Sequence, residues 1–553
     1  MGLASRSKTI LATALILAAA FPGAPTSASP EGAPRRLLVL YQDGVSSAAA
    51  RAELQALGAD ILAENDAVGL ATIRTTNPDF VDEAMATGAF FGVSRDRSIG
   101  TAPPGSSKRN HPAPRHLDVH RPRAPARPAA GGADPLFRYE WHMRMIHATP
   151  RGSYSKERGD KRVLVGVMDT GIDLHNPDLR TNVDKNLSKT FLDTLSADRD
   201  KCKKHPKSRY CGDSPFKDTL GHGTAVGSVI AGAINGSGIS GVAPKVTLVS
   251  LRVGRYYVFV QPVVDALTYA ADHGIDIVNM SFFVDPWLFN CPNNSADTNE
   301  QQMEQRTIVK AIQDAIDYAR GHEVTPITAM GNEALDLGKP KTDTISPDYP
   351  AGANYHRDVD NSCLVVPQET DGVIGVSALG PSKRKAYYSD YGIERTDVSA
   401  PAGDDFDNAR HAPMNQILVA TSKLSLEKAG LIDNRGKPKT NVVMRRCREP
   451  HHRRCDYFRF WQGTSFASPV AAGVAALIVS RSGTGDGNGG LTMAPSKVQR
   501  RLLATATEHR CPKGRVQGYK GLNRSFRARC DGSKAKNGFY GAGIVDALRA
   551  VRR

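Results

Sequence analysis

The sequence predicts an α/β fold. A mostly parallel sheet covered by helices spans residues 134–553, preceded by a small α+β unit within residues 29–98. Three observations lead there. Uniformly apolar runs alternate with helical stretches from about Asp134 to the end of the chain. A shorter strand–helix pattern fills residues 34–98. Between the two, residues 99–133 are rich in Pro, Ala, Arg, His and Gly, cannot bury a core, and read as an exposed linker. With 553 residues, 40% of them hydrophobic, the chain has material for one large core and a smaller one, which argues against a disordered or fibrous protein.

The elements follow in order. Arg6 and Lys8 make a positive start, Thr9 to Phe21 is apolar, and small residues continue through Ala28. That is the pattern of a secretory signal peptide over residues 1–28. The apolar run falls short of the roughly 20 residues a span requires, so no membrane span is expected. In the small unit, Arg36–Gln42 reads as a strand and Ser46–Leu57 as a helix. Ile61–Thr75 reads as one or two strands around Asn65-Asp66. Asn77 can cap a helix from Pro78 to about Thr87, and Phe90–Ser98 is a last strand. In the large unit, Val163–Met168, Lys245–Val253, Ile275–Met280, Thr325–Ala329 and Val373–Ala378 are continuous apolar runs, as strands buried on both faces are. Thr224–Ala233, Val263–His273, Glu300–Arg320 and Thr464–Ser480 are helical stretches between and after them. The uncharged stretch Trp461–Ser480 contains Gln462, Ser465 and Pro469 and reads as a core helix.

The net charge of +16 is spread along the chain and comes with no helix-turn-helix, zinc-finger or RNA-binding signature, so nucleic acid is not an expected partner. The eight cysteines, none in the first 200 residues and none in a CxxC, point to disulfides and an oxidising, extracellular compartment. Proximity pairs Cys202–Cys211, Cys447–Cys455 and Cys511–Cys530, and elimination leaves Cys291–Cys363. Two of these pairs enclose the basic runs Lys201–Tyr210 and Arg448–Arg454, which are either solvated surface or a guide for acidic substrates or an anionic wall.

Three motifs occur in the order Asp, His, Ser: Met168-Asp169-Thr170-Gly171 ending a strand, Gly221-His222-Gly223-Thr224 opening a helix, and Gly463-Thr464-Ser465-Phe466-Ala467-Ser468-Pro469 opening another. Each alone could be a cap or a turn. Together they supply a nucleophile, a base and an orienting carboxylate. A serine hydroxyl attacks only when a base takes its proton; imidazole does so near neutral pH, and a buried carboxylate fixes the imidazole tautomer.

These motifs resemble the subtilisin-like serine proteases (peptidase S8), over about residues 134–548. The resemblance implies a subtilisin-like three-layer fold and a serine endopeptidase acting on protein or peptide substrates. Ser465 would be the nucleophile, His222 the base and Asp169 its partner. Thr328-Ala329-Met330-Gly331-Asn332-Glu333 looks like the family's oxyanion segment, with Asn332 as donor. By the same resemblance Ser281, Phe282, Phe283, Ala329, Met330 and Gly331 line the pocket for the residue before the cut. Gly254–Val260 would be an edge strand on which substrate pairs, with Tyr256, Tyr257 and Phe259 shaping an apolar subsite or, equally, packed under a loop. Structural calcium, with Asp178 and Asn235 as ligands, is also implied; no cofactor is needed for the chemistry.

The unit at 29–98 resembles an inhibitor-type propeptide, which would act as an intramolecular inhibitor, with 99–133 as the processing linker and 134–553 as the catalytic domain. Two departures from the family pattern, Ala225 and Phe283, bear on substrate preference more than on chemistry. A secreted, self-processing, monomeric zymogen is the expectation. Its rivals are a narrow processing protease for one exported precursor and an inactive binding protein on the same fold.

Overall fold

The computed structural model describes residues 34–96, 133–192, 214–255, 257–350, 352–407, 413–447 and 455–552. The expected signal peptide, nearly all of the linker, Tyr256 and the Cys202–Cys211 pair lie outside these residues.

The small unit contains β1 (Arg35–Tyr41), α1 (Ser47–Ala56), β2 (Asp60–Asn65), β3 (Leu70–Thr75), α2 (Phe80–Ala86) and β4 (Phe90–Arg95). Its antiparallel sheet runs β2-β3-β1-β4. Ser46 caps α1 through its hydroxyl. Asn77 does not cap α2: the helix starts two residues later than expected, and the Asn77 side chain instead accepts from Asp79 N in an Asx turn.

The large unit is built on seven parallel strands: β5 (Leu164–Asp169), β6 (Lys189–Thr190), β7 (Thr247–Arg252), β8 (Ile277–Met280), β9 (Thr325–Ala329), β10 (Ile374–Leu379) and β11 (Val398–Pro401). Their order is β11-β10-β9-β8-β5-β7-β6. Alternate residues feed two cores. Val165 and Val167 of β5 face one with Val226, Ile230 and Val474, whereas Met168 faces the other with Val263, Leu267, Ile308 and Ile312. The first core packs under α3 (His222–Ala231) and α6 (Ala467–Ser482), the second under α4 (Val260–Asp272) and α5 (Asn299–Gly321). Helix α6 with its leading turn is long and apolar enough to cross a membrane, but 83% of that window is buried inside the protein, as a core helix is.

From β5 the chain moves out to β6 and β7 on one side, then jumps back to β8 on the other. In such sheets the crevice opens beyond the carboxyl ends of the strands at the switch point. Asp169 ends β5 there, Ser281 follows β8, and Met330 to Asn332 follow β9. A separate antiparallel sheet, β12 (Ile417–Ala420), β13 (Val443–Cys447) and β14 (Cys455–Trp461), delivers the chain to Ser465.

Three of the expected disulfides are present: Cys291–Cys363, Cys447–Cys455 and Cys511–Cys530.

Among the described residues of Gly254–Val260, none lies in an edge strand. The family resemblance implies one, yet β7 stops at Arg252 and α4 begins at Val260. The backbone of the intervening loop is captured elsewhere: Asp285 accepts from Val258 N and, through its own N–H, donates to Val258 O at 2.8 Å.

The small unit docks on α4 and α5. Leu38, Leu40 and Leu70 join the second core. Asn65 donates to Asp265 and Thr268 at 2.9 and 2.8 Å, and Lys310 pairs with Asp43 at 2.9 Å. Gly92 lets β4 approach α5 closely, since a Cβ there would sit 2.2 Å from Thr307 Oγ1.

Candidate active site

The site assembles three segments that the sequence holds far apart. Asp169 is 3% exposed, and both its oxygens lie near His222 Nδ1, at 2.8 and 2.9 Å. Thr170 N donates to Asp169 Oδ1 at 2.7 Å, which holds the carboxylate in place. A carboxylate on Nδ1 requires the proton there, so Nε2 is the lone-pair nitrogen of the neutral ring.

Glycine is required at the junction. A Cβ on Gly223 would lie 2.3 Å from the Gly171 carbonyl oxygen, so only glycine lets α3 come this close to the Asp169 turn. Gly221, at φ 82°, supplies the left-handed turn that starts α3 at His222.

Burial works against a charged His222, but the charge and hydrogen bond of Asp169, helped by the charge of Asp218, outweigh it and hold the imidazole above its ordinary value. Trp461 stands edge-on to the ring at 5.8 Å between centroids, and Phe466, next after Ser465, also lies at 5.8 Å.

Ser465 sits in a 3₁₀ turn, Thr464–Phe466, ahead of α6. Its hydroxyl is 3.5 Å from the Ser281 carbonyl, a long contact that gives up little when the hydroxyl turns elsewhere. Asn332 is tied to the same turn: its Oδ1 accepts from Thr464 N at 2.8 Å and from Thr464 Oγ1 at 3.1 Å. The amide nitrogen is therefore the end turned away from Thr464. Behind Asn332, Asp390 accepts from Glu333 N and Leu335 N at 3.0 and 2.7 Å.

The residues expected to line the substrate pocket divide. Ala329 and Gly331 flank the site on the β9 side. The Ser281 hydroxyl is engaged with Ser465 O at 3.1 Å and Ser468 Oγ at 3.0 Å, so it braces the Ser465 turn. Phe282 packs on the second core, and its carbonyl accepts from Gln368. Phe283 packs on a cluster that includes Leu288, Phe289 and Val365. Met330 is a core residue, fully buried, its sulfur 2.7 Å from where a Gly375 Cβ would be, so its side chain points into the sheet instead of the pocket. Tyr257 stacks with Phe259 at 6.1 Å, and Tyr349 closes the group edge-on at 5.2 and 5.5 Å.

Asp178 and Asn235 are brought together, but by a donor. Asn235 Nδ2 donates to Asp178 Oδ1 at 3.0 Å, Ile239 N donates to Asp178 Oδ2 at 2.9 Å, and Asn235 Oδ1 is taken by Ser237 N. Burial pushes Asp178 up to about 8. Among the described residues no group of three His, Cys, Asp or Glu converges as a metal cage.

Several contributors were missed in the sequence: Thr464, which anchors Asn332; Trp461, against His222; and Asp218, buried four residues before His222. Asp218 alone left a signal, an acidic residue just ahead of a helix start.

Comparison with known proteins agrees with this geometry. A model of the subtilase family matches residues 160–543. Subtilisin DY of Bacillus licheniformis is 25% identical over 351 residues, 62% of this chain and 84% of that protein. The nisin leader peptide-processing serine protease NisP of Lactococcus lactis subsp. lactis is 24% identical over 378 residues, 67% of this chain and 47% of that one. The solved epidermin leader peptide processing serine protease EpiP of Staphylococcus aureus shares the fold, with a TM-score of 0.60 at 17% identity over 94% of this chain and 98% of its own. The family match takes in the segments of Asp169, His222, Asn332 and Ser465, and the chain belongs to the subtilase family as a serine-type endopeptidase.

Proposed function

We propose that the protein is a secreted endopeptidase, made as a zymogen, that cleaves protein or peptide substrates through Ser465, His222, Asp169 and Asn332. The observation that carries this reading is the joint one at the strand ends: Asp169 on His222 Nδ1, and the oxygen of Asn332 clamped to the Ser465 turn. Ser465 Oγ attacks the peptide carbonyl while His222 Nε2 takes its proton. His222 then gives that proton to the leaving amine, and a water molecule releases the acyl group by the same route. Asp169 orients the ring and offsets its positive charge. The Asn332 amide and the Ser465 N–H donate to the oxyanion as it forms.

A fluorophosphonate probe tests this. The expected result is one covalent adduct, on Ser465, lost in His222→Ala; an adduct elsewhere, or none, overturns the reading. Asn332→Ala is expected to lower kcat by about 10²–10³-fold, or about 2.7–4 kcal/mol, with KM little changed, because the amide acts where charge develops. The general base must be neutral, and Asp169 holds His222 above the ordinary value of 6.5. The acid limb of kcat/KM should therefore have its midpoint above 6.5, and Asp169→Asn should move that midpoint down.

The unit at 29–98 is proposed as an inhibitor and folding aid and 99–133 as its processing linker, supported by its docking on α4 and α5. Residues 1–28 and the disulfides support export. Calcium at Asp178 and Asn235 is not part of the reading: Ca²⁺ takes oxygen ligands, and this loop turns N–H donors onto Asp178. The melting temperature is expected to be the same with and without EDTA, and a drop of several degrees would restore the metal.

A further inference from the structure

Asp218 has chemistry to spare at this site. It is 1% exposed, in the turn that precedes α3. Its Oδ1 accepts from Thr170 Oγ1 at 2.9 Å, Leu220 N at 3.1 Å and Gly221 N at 2.7 Å. Its Oδ2 accepts from Thr224 N at 2.9 Å and Thr224 Oγ1 at 2.6 Å. Each hydroxyl oxygen also accepts from a backbone N–H. Thr170 Oγ1 accepts from Gly223 N at 3.0 Å, and Thr224 Oγ1 accepts from Asp173 N at 3.0 Å. Each threonine still has its single proton to donate to Asp218. Five donors, three backbone N–H groups and two hydroxyls, converge on its two oxygens, the donor set that a carboxylate accepts. Burial and the nearby charge of Asp169 push its pKa up, against the hydrogen bonds from Thr224 and Gly221 that favour the charged form.

This carboxylate joins the two halves of the site. Thr170 follows Asp169, while Gly221 and Thr224 flank His222. The chain of contacts from Asp218 through Thr170 Oγ1 to Gly223 N ties the Asp169 turn to the first turn of α3. The charged groups acting on His222 are Asp169, from the end of β5, and Asp218, from the turn before α3. Asp173, after β5, is paired with His175 at 2.6 Å. Trp461 and Phe466 face the ring without charge.

We propose that Asp218 is a second ionised carboxylate of the site, a positioning residue that fastens the Asp169 turn to the His222 helix and whose charge favours the imidazolium formed during the reaction. This rests on His222 being the general base. The test compares the mature wild-type enzyme with Asp218→Asn and Thr170→Val. It reads kcat and KM on a peptide substrate from pH 5 to 10, the melting temperature, and fluorophosphonate labelling of Ser465.

Asp218→Asn is expected to lower kcat 10–100-fold with KM within about twofold, and to move the acid-limb midpoint down by about half a pH unit. Thr170→Val breaks the link but keeps the charge, so kcat should fall 5–20-fold with the midpoint in place. An unchanged kcat and midpoint in Asp218→Asn, with only the melting temperature reduced, overturns the proposal, as does the same midpoint shift in Thr170→Val. If Asp218→Asn does not fold, Thr170→Val decides: a full kcat at an unchanged melting temperature overturns the fastening. Wild type that labels somewhere other than Ser465 refutes the function reading instead, which keeps the two failures apart.

Discussion

Ser465→Ala is expected to lower kcat on a peptide substrate about a million-fold, the scale seen when the nucleophile or base of a subtilisin is removed. The loss is that large because the remaining groups cannot substitute. Asp169 and His222 still form their pair, but there is no hydroxyl for Nε2 to deprotonate. What survives is the acceleration, roughly 10³–10⁴ over water, that oxyanion donors and substrate binding provide by themselves. Asn332 belongs to that residue of activity, because its clamp is to Thr464 and not to the Ser465 side chain. Maturation supplies a second readout. Wild-type chain should trim itself within about residues 99–134, whereas the variant should stay long unless wild-type enzyme is added. Intact mass and N-terminal sequencing follow both. A variant that trims itself as wild type does would show that another protease matures the chain. A variant that also digests peptide at the wild-type rate would remove Ser465 from the chemistry.

The sequence made the architecture and the candidate site residues legible for different reasons. The strands of the main sheet are continuous apolar runs because both faces are buried. The expected Thr325–Ala329 matches β9 residue for residue, and Val373–Ala378 differs from β10 by one residue at each end. Asp169, His222 and Ser465 were legible because each lies in a short motif with a glycine within two residues, and for His222 the flanking glycine is demanded by close approach: a Cβ on Gly223 would meet the Gly171 carbonyl. What stayed hidden depends on partners distant in sequence. The resemblance implies an edge strand at Gly254–Val260, but Asp285 takes the Val258 backbone. Met330 lies in a segment near the site, yet its direction is set by the gap at Gly375. The order of the seven strands has no local signature at all.

Arg357 illustrates the same limit and carries the largest expected effect on stability. It is fully buried, bonded to Asp297 at 2.8 Å, Asp343 at 2.7 Å and Gln305 at 3.0 Å, and it lies over the Trp287 ring at 4.8 Å. Arg357→Ala would leave two carboxylates buried without their cation. Breaking such a pair costs about 3–5 kcal/mol, mostly through the charge left behind. For a domain of this size the melting temperature should fall by about 3–6 °C.

The pH dependence should change with it. Burial works against the Asp343 charge, but Ser346 and Arg357 overcome it and hold the group below its usual range. A depressed carboxylate contributes stability above its unfolded value, and that stability is lost as pH falls through the folded value. The variant should lack this contribution, so its deficit is largest near neutral pH and narrows in acid. Adding Asp297→Asn and Asp343→Asn to Arg357→Met removes all three charges together and should recover much of the loss. If Arg357→Ala melts with wild type, the network is not holding this region. If it melts early, the consequences extend to the small unit. Asp297 directly precedes the Thr298 cap of α5, and α5 carries Thr307 and Lys310, on which β4 and Asp43 dock. Loosening that cap should expose the small unit to proteolysis before the sheet itself unfolds.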